Sequence, residues 1–169
     1  DSKDATNQLL SIAQSGLGMP DRDYYFDESE HGEALRQGYL KLLQGKFELL
    51  GNDAATAESK ANDIFAFEKR LADASLTQLE YRDPFLTYNK LTVDDLKKVA
   101  PNIDWQLYFQ NLGIEPPQHI LVDNPTFLTR ISEMLKDVPA NVWANYLTMQ
   151  FMDAYSACPV SYTHLRAHE

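Results

Sequence analysis

The sequence contains a single cysteine and fewer basic than acidic residues. Because Cys158 has no partner in the chain, no internal disulfide can form. The 15 Lys and Arg residues are scattered among 25 Asp and Glu residues, which gives a formal net charge of −10. Nucleic-acid binding needs a basic face that replaces phosphate counterions, so this charge balance argues against a nucleic-acid partner.

Long apolar runs and the common catalytic motifs are also missing. No apolar run reaches the roughly 18 residues of a membrane span, so none is predicted. There is no G-x-S-x-G nucleophile motif, no G-x-x-x-x-G-K-[ST] phosphate loop and no G-x-G-x-x-G dinucleotide motif. The sequence starts at Asp1 without Met and without the layout of a signal peptide. We therefore expect a piece of a longer protein, cut at both ends and without a catalytic centre of its own.

Only four histidines are available as imidazole ligands for a metal. His31 and His119 lie far apart, and neither has the H-E-x-x-H context of a zinc peptidase helix. We predict a surface or structural hydrogen-bonding role for both. His164 and His168 are four residues apart, but the order H-x-x-x-H-E places Glu169 outside the pair. The sequence therefore assigns no metal ligand, no cofactor-binding residue and no catalytic residue.

The end of the sequence looks unrelated to the rest. Residues 159–169, Pro-Val-Ser-Tyr-Thr-His-Leu-Arg-Ala-His-Glu, resemble one reading frame of a transposase-type DNA-sequencing adapter. A segment of that origin is left out of fold reasoning, as an expression tag would be. We therefore predict one native region, residues 1–158, followed by a non-native tail, residues 159–169.

Two long helices are predicted in the first half. Apolar residues at three- and four-residue spacing indicate a helix from Glu30 to Leu50 and another from about Asp53 to Ser75. Gly51 ends the first, so the two should form a helical hairpin. The apolar face of the second helix is predicted to carry Ala57, Ala61, Ile64, Phe67 and Leu71. The largely opposite, polar face is predicted to carry Glu58, Lys60, Glu68 and Lys69.

Shorter helices are predicted in the second half. Thr92 begins a capping sequence for a short helix, and a second short helix is predicted from Asp104. Asn124 and the following proline suit the start of a helix that runs to about residue 137. A last helix runs from Pro139 to about Ser156, and its Trp and Met residues are typical of core or interlobe contacts.

Extended segments are predicted to be few. Ile120 to Val122 indicates a short strand, whereas residues 8–13 could be a strand or a helical turn, because so short a run has no decisive periodicity. Residues 76–91 interrupt the helical pattern and are expected to form a buried connector with several aromatic side chains. The predicted fold is therefore mainly α, a multi-helix fold with one or two short strands.

Segment 16–26, Gly-Leu-Gly-Met-Pro-Asp-Arg-Asp-Tyr-Tyr-Phe, is the most informative run. Gly16 and Gly18 permit backbone angles that other residues avoid, and Pro20 fixes its own φ, so an ordered connector is expected. Together with residues 83–92, Asp-Pro-Phe-Leu-Thr-Tyr-Asn-Lys-Leu-Thr, it resembles the amino-terminal region of the neprilysin, endothelin-converting enzyme and oligoendopeptidase O family of zinc metallopeptidases. The resemblance covers most of residues 1–158.

The charged cluster Asp21, Arg22 and Asp23 beside Tyr24 and Tyr25 could bind a substrate. We favour a structural role, in which the arginine braces the turn between two carboxylates and the tyrosines bury their rings while their hydroxyls find partners.

Run 83–92 is likewise explained by folding. Asp83 and Asn89 can bond nearby backbone amides while the apolar side chains pack. Those side chains are Phe85, Leu86, Tyr88 and Leu91.

The resemblance implies that the intact protein is a zinc metalloendopeptidase that hydrolyses small peptides on the amino side of apolar residues. Its zinc ligands lie later in the family's chain, so this segment would belong to the helical lobe that excludes large substrates. The implied partners are the missing carboxy-terminal catalytic lobe and peptide substrates. The implied location is extracytoplasmic, in a bacterial periplasm or envelope or secreted, and the scarcity of cysteine fits a bacterial relative.

Two other functions remain open. A non-catalytic helical binding or interaction module could share this lobe and have no zinc-binding half; the continuation of the gene distinguishes it. A stand-alone enzyme could use a pair of acidic residues, although no spacing marks a particular pair. A carboxyl group with a strongly shifted pKa in a cleft would favour that alternative.

Overall fold

Helices α1 (Glu30–Leu49) and α2 (Ala54–Ala74) form the predicted hairpin in the computed structural model, which describes residues 8–155. Gly51 turns the chain between them at a φ of 87°, a left-handed conformation that glycine adopts without steric cost. The Asp53 side chain then accepts a hydrogen bond from the Thr56 amide and caps α2.

Shorter helices make up most of the remaining described chain. The predicted caps Thr92 and Asn124 each accept a hydrogen bond from a backbone amide in the first turn of their helix, and so does Asp104, which was predicted as the start of a helix. A short 3₁₀ helix (Arg22–Tyr25) precedes α1. The other helices are α3 (Gln78–Tyr81), α4 (Pro84–Thr87), α5 (Val93–Val99), α6 (Trp105–Leu112), α7 (Pro125–Asp137) and α8 (Ala140–Tyr155).

A small mixed sheet stands beside the helices. Its order is β1 (Leu10–Ile12), β3 (Ile120–Val122) and β2 (Asn89–Leu91), with β1 parallel and β2 antiparallel to the central β3. The described residues thus contain three strands, so the prediction of one or two was too low. β2 was missed because its three residues acquire strand structure only by pairing with β3, which lies far along the sequence.

Three apolar clusters form the core of the described residues, and α7 contributes to the two larger ones; the third is formed by Met19, Tyr25 and Ala72. Phe127 belongs to the cluster between α1, α2, α7 and α8, whereas Leu128 belongs to the cluster formed with the sheet, α5 and α6. In the first cluster the Phe67 ring lies 4.7 Å from Trp143 and 4.4 Å from Tyr146, measured between ring centroids. Helix α7 therefore joins the hairpin to the sheet.

Segment 76–91 was predicted to be a buried connector, but much of it is exposed. Phe85 is 91% exposed and Leu79 is 80% exposed, because α3 and α4 are each only one turn long and cover little of the body. Asp83 does accept a hydrogen bond from the Phe85 amide at 2.8 Å, as predicted. Asn89 was predicted to bond a nearby backbone amide, but its Nδ2 donates to the Leu86 carbonyl instead.

Candidate functional site

Segment 16–26 is fixed to the helical body at its first glycine. Gly16 has a φ of 98°, and its carbonyl accepts a hydrogen bond of 2.7 Å from the Tyr146 hydroxyl of α8. Gly18 differs from the prediction, because it has no positive φ. Glycine is needed here because the backbone lies close to α1, and a Cβ at this position would overlap the Tyr39 hydroxyl.

Tyr25 ties the segment to itself and to α2. Its hydroxyl accepts hydrogen bonds from the Gly18 amide at 3.2 Å and the Met19 amide at 3.1 Å. The same hydroxyl donates to Oε2 of Glu68 at 2.8 Å. The predicted burial of the Tyr25 ring is confirmed, and its hydroxyl has partners on both sides.

Glu68 was predicted on the polar face of α2, but its side is covered and the residue is only 1% exposed. Segment 16–26 and α1 cover this side of α2, and the Tyr39 hydroxyl donates to the Glu68 carboxylate at 2.8 Å. A sequence signal did exist, since Glu68 is four residues from both Ile64 and Ala72, which are buried on the same helix. This spacing places Glu68 on the buried side of α2, where a carboxylate needs hydrogen-bond donors.

Burial, with a smaller contribution from the Asp153 carboxylate, raises the pKa of Glu68 to about 7. The hydrogen bonds from Tyr39 and Tyr25 oppose this rise. Burial and the Glu68 charge raise the pKa values of both tyrosines, so the hydroxyls remain protonated donors. Glu68 is enclosed by packed side chains and lines neither of the two clefts beside segment 16–26.

A second polar cluster joins the sheet to α2 and α3. Asp123, directly after β3, accepts hydrogen bonds from the Gln14 amide at 3.0 Å and the Tyr81 hydroxyl at 2.6 Å. Asn124 caps α7 and also donates from Nδ2 to the Ala74 carbonyl at 2.9 Å and to Gln14 Oε1 at 2.8 Å. The sequence indicated the cap but not the other contacts, because their partners lie far away along the chain.

The charged cluster after Pro20 is arranged differently from the prediction. Asp21 caps the 3₁₀ helix by accepting from the Asp23 amide at 2.9 Å. Arg22 does not brace the turn, because it forms no ion pair with any carboxylate in the described range; its guanidinium carbon lies 5.6 Å from the Phe26 ring centroid. The Asp21 carboxylate is instead engaged by the Asp23 amide and by Gln78 Nε2. Arg22 lines a cleft of about 490 Å³ between segment 16–26 and α3.

The described histidines do not fit a zinc ion. His31 is exposed in the first turn of α1, and His119 is partly buried just before β3. No three His, Cys, Asp or Glu side chains within residues 8–155 are grouped to hold a metal. His164, His168, Glu169 and Cys158 lie outside the described residues, as does the predicted boundary at residue 158, which stays a prediction. Across the same described stretch, no helix is both long and apolar enough to cross a membrane.

Replacing Gly18 by Ala should lower the free energy of unfolding by about 2 kcal/mol, since the new methyl group collides with a hydroxyl held by Glu68. Gly38→Ala is the matched control, because a Cβ at this α1 position meets no atom within 4 Å. That control should gain up to about 1 kcal/mol from the better helix propensity of alanine. Urea unfolding measures both, and an unchanged Gly18→Ala variant would contradict the close packing.

Comparison with known proteins identifies the family. The sequence model of peptidase family M13 matches residues 1–166. Endothelin-converting enzyme 1 of Homo sapiens is 32% identical over 152 residues, which are 87% of this chain and 20% of that protein. The enzyme of the same name from Bos taurus is 31% identical over the same shares of the two chains.

Solved structures agree with the sequence comparison. The zinc metalloprotease Zmp1 of Mycobacterium tuberculosis in its open state matches with a TM-score of 0.85 and 30% identity, over 92% of this chain and 24% of that one. The inhibitor complex of Zmp1 matches with a TM-score of 0.80 and 27% identity, over 87% of this chain and 22% of that one. The chain thus spans about a fifth to a quarter of the length of these relatives. The chain belongs to peptidase family M13, the neprilysin and endothelin-converting enzyme family of metallopeptidases, and corresponds to its amino-terminal region.

Proposed function

We propose that this chain is part of the helical, substrate-excluding lobe of a zinc metalloendopeptidase that hydrolyses small peptides in an extracytoplasmic location. The strongest support is the match of 92% of the chain to about a quarter of a zinc metalloprotease at a TM-score of 0.85. A wall that excludes large substrates must keep its shape. The buried Tyr25, Tyr39 and Glu68 bonds join segment 16–26 to both helices of the hairpin and meet that requirement.

Helix α8 offers a surface for the carboxy-terminal catalytic lobe. Leu147, Phe151 and Tyr155 recur every four residues along one face and are 58%, 63% and 56% exposed. The rings of Phe151 and Tyr155 lie 4.5 Å apart and extend this apolar stripe to the end of the helix. Such a continuous stripe is typical of a contact surface, and in the proposed enzyme the catalytic lobe covers it.

The 169-residue chain by itself should neither hydrolyse peptides nor retain zinc. The described residues supply no grouped ligands, so zinc and its general base belong to the remainder of the proposed enzyme. The measurements are cleavage of a quenched fluorescent peptide and zinc content after gel filtration. Chelator-sensitive hydrolysis by the purified chain, free of contaminating protease, would contradict the proposal.

The matched positive experiment uses the longer protein from the same gene. The gene is resequenced past Tyr155 with a library method that does not use the adapter. The longer protein that it encodes is then assayed on peptides of increasing length. Chelator-sensitive cleavage that falls steeply with substrate size supports an excluding lobe. A frame that ends near Cys158 would instead favour the non-catalytic binding module. Genomic DNA that encodes residues 159–169 would contradict the adapter interpretation.

A further inference from the structure

The cleft beside segment 16–26 has the features of a ligand site. Its volume is about 490 Å³. Residues of segment 16–26 form one wall, and Leu76, Gln78, Tyr81 and Arg82 form the other. The cleft is spatially separate from the buried Glu68 carboxylate, which does not line it.

Hydrogen bonds hold the two walls in place. The Gln14 side chain accepts from the Leu76 amide at 2.9 Å and donates to the Leu76 carbonyl at 3.2 Å. Gln78 Nε2 donates to Asp21 Oδ2 at 2.9 Å and so connects α3 to segment 16–26. Because these bonds are already made, the cleft is formed before a ligand arrives, which lowers the cost of ordering on binding.

The charge of the lining opposes that of the whole chain. Arg22 and Arg82 line the cleft against one carboxylate, Asp21, whereas the whole chain has a formal net charge of −10. Neither arginine forms an ion pair with a residue in the described range 8–155. Nε of Arg22 is buried and has no hydrogen-bond partner among those residues. This nitrogen has almost no accessible surface, so the anion would be held by the other guanidinium donors of Arg22 and by Arg82, neither of which has a carboxylate partner among the described residues.

The acidic groups around the arginines are already engaged. Asp21 accepts from the Asp23 amide and from Gln78. Glu80, on which Arg22 acts electrostatically, accepts from the Thr77 amide at 2.9 Å and the Thr77 hydroxyl at 2.8 Å. These carboxylates therefore leave the guanidinium groups available for an external anion.

We propose that this cleft binds a carboxylate attached to an apolar group, such as the carboxy terminus of a short apolar peptide. The lining has one more positive than negative side chain, which suits a single negative charge better than a phosphate dianion. Leu17, Met19 and Pro20 provide apolar surface for the body of the ligand. The inference deepens the proposed peptidase function and relies on it for biological meaning, but binding to the chain alone can be measured separately.

The test is an NMR titration of the ¹⁵N-labelled 169-residue chain with N-acetyl-leucyl-leucine. The expected result is saturable shifts at the Gly16 and Leu17 amides, both of which belong to residues that line the cleft. The carboxamide of the same dipeptide should bind about tenfold more weakly, because it cannot form charge-assisted bonds with the arginines. Inorganic phosphate as a second probe distinguishes a general anion site from a site for apolar carboxylates.

Arg22→Gln and Arg82→Gln should each weaken binding of the free dipeptide by about tenfold. Arg70→Gln is the charge-matched control, since Arg70 pairs with Asp137 outside the cleft, and it should leave the affinity unchanged. Exposed Arg82 can change without loss of fold, so its variant remains informative if Arg22→Gln unfolds. Equal binding of the carboxamide, tighter binding of phosphate or no saturable shift would overturn the inference. The result of this binding test is independent of the hydrolysis assay on the longer protein, so the two proposals can fail separately.

Discussion

Replacing Glu68 by Gln is expected to abolish most of the pH dependence of stability between about pH 5 and pH 8. In the native chain this carboxyl is enclosed and accepts hydrogen bonds from Tyr25 and Tyr39. Asp153, which forms an ion pair with Lys46, acts on it from α8. Glutamine keeps the shape and the acceptor oxygen but cannot ionise.

The direction follows from the two pKa values of Glu68. Its pKa is raised from 4.5 to about 7 in the folded chain, so the folded state holds this proton more tightly than the unfolded state. The resulting stabilisation is fully present below pH 4.5 and is lost as the pH rises through about 7. The free energy of unfolding should therefore fall by about 3 kcal/mol between those limits, at roughly 1.4 kcal/mol per pKa unit.

Urea unfolding at several pH values measures this change. Glu58→Gln, on the exposed side of the same helix, is the matched control and should retain the pH dependence of the native chain. Groups with lowered pKa values, such as Asp95 at about 2, lose their stabilising effect only at more acidic pH, so they leave this window clear. A Glu68→Gln variant with the native slope would assign the pH dependence to other groups.

Replacing Asn124 by Ala should lower the free energy of unfolding by about 3 kcal/mol, the combined effect of a lost cap and two buried hydrogen bonds. The Asn124 side chain accepts from the Phe127 amide and donates to the Ala74 carbonyl and to Gln14 Oε1. Removing it takes the acceptor from the Phe127 amide and a donor from the buried Ala74 carbonyl, while Gln14 Oε1 keeps its hydrogen bond from the Leu76 amide. Thermal and urea unfolding should agree on the loss.

Two variants separate the roles of the Asn124 side chain. Asp104→Ala removes a cap whose side chain makes only the capping bond among the described contacts, and it should cost about 1 kcal/mol. Asn124→Asp keeps the cap acceptor but removes both donors, so a loss of about 2 kcal/mol or more is expected. Equal losses for Asn124→Ala and Asp104→Ala would show that the distant contacts of Asn124 add nothing.

The longer helices could be predicted because their signals are local, whereas the one-turn helices α3 and α4 lie in segment 76–91, which was predicted to be a connector. The hairpin, the Gly51 turn and the caps at Thr92, Asp104 and Asn124 each depend on residues within a few positions of one another. The family resemblance likewise depended on contiguous runs, 16–26 and 83–92, and the M13 match confirms it.

The sequence by itself thus determined the mainly α fold, most helix limits and the family, since short-range spacing and capping chemistry encode them. Only the tertiary structure decided that residues 10–12 form a strand, because β3, their hydrogen-bonding partner, is over 100 residues away. It also decided that Tyr25 and Tyr39 are the side chains that cover Glu68 and that Arg22 lines a cleft. Burial and charge pairing depend on which distant segments cover a side chain, and no local pattern specifies that covering.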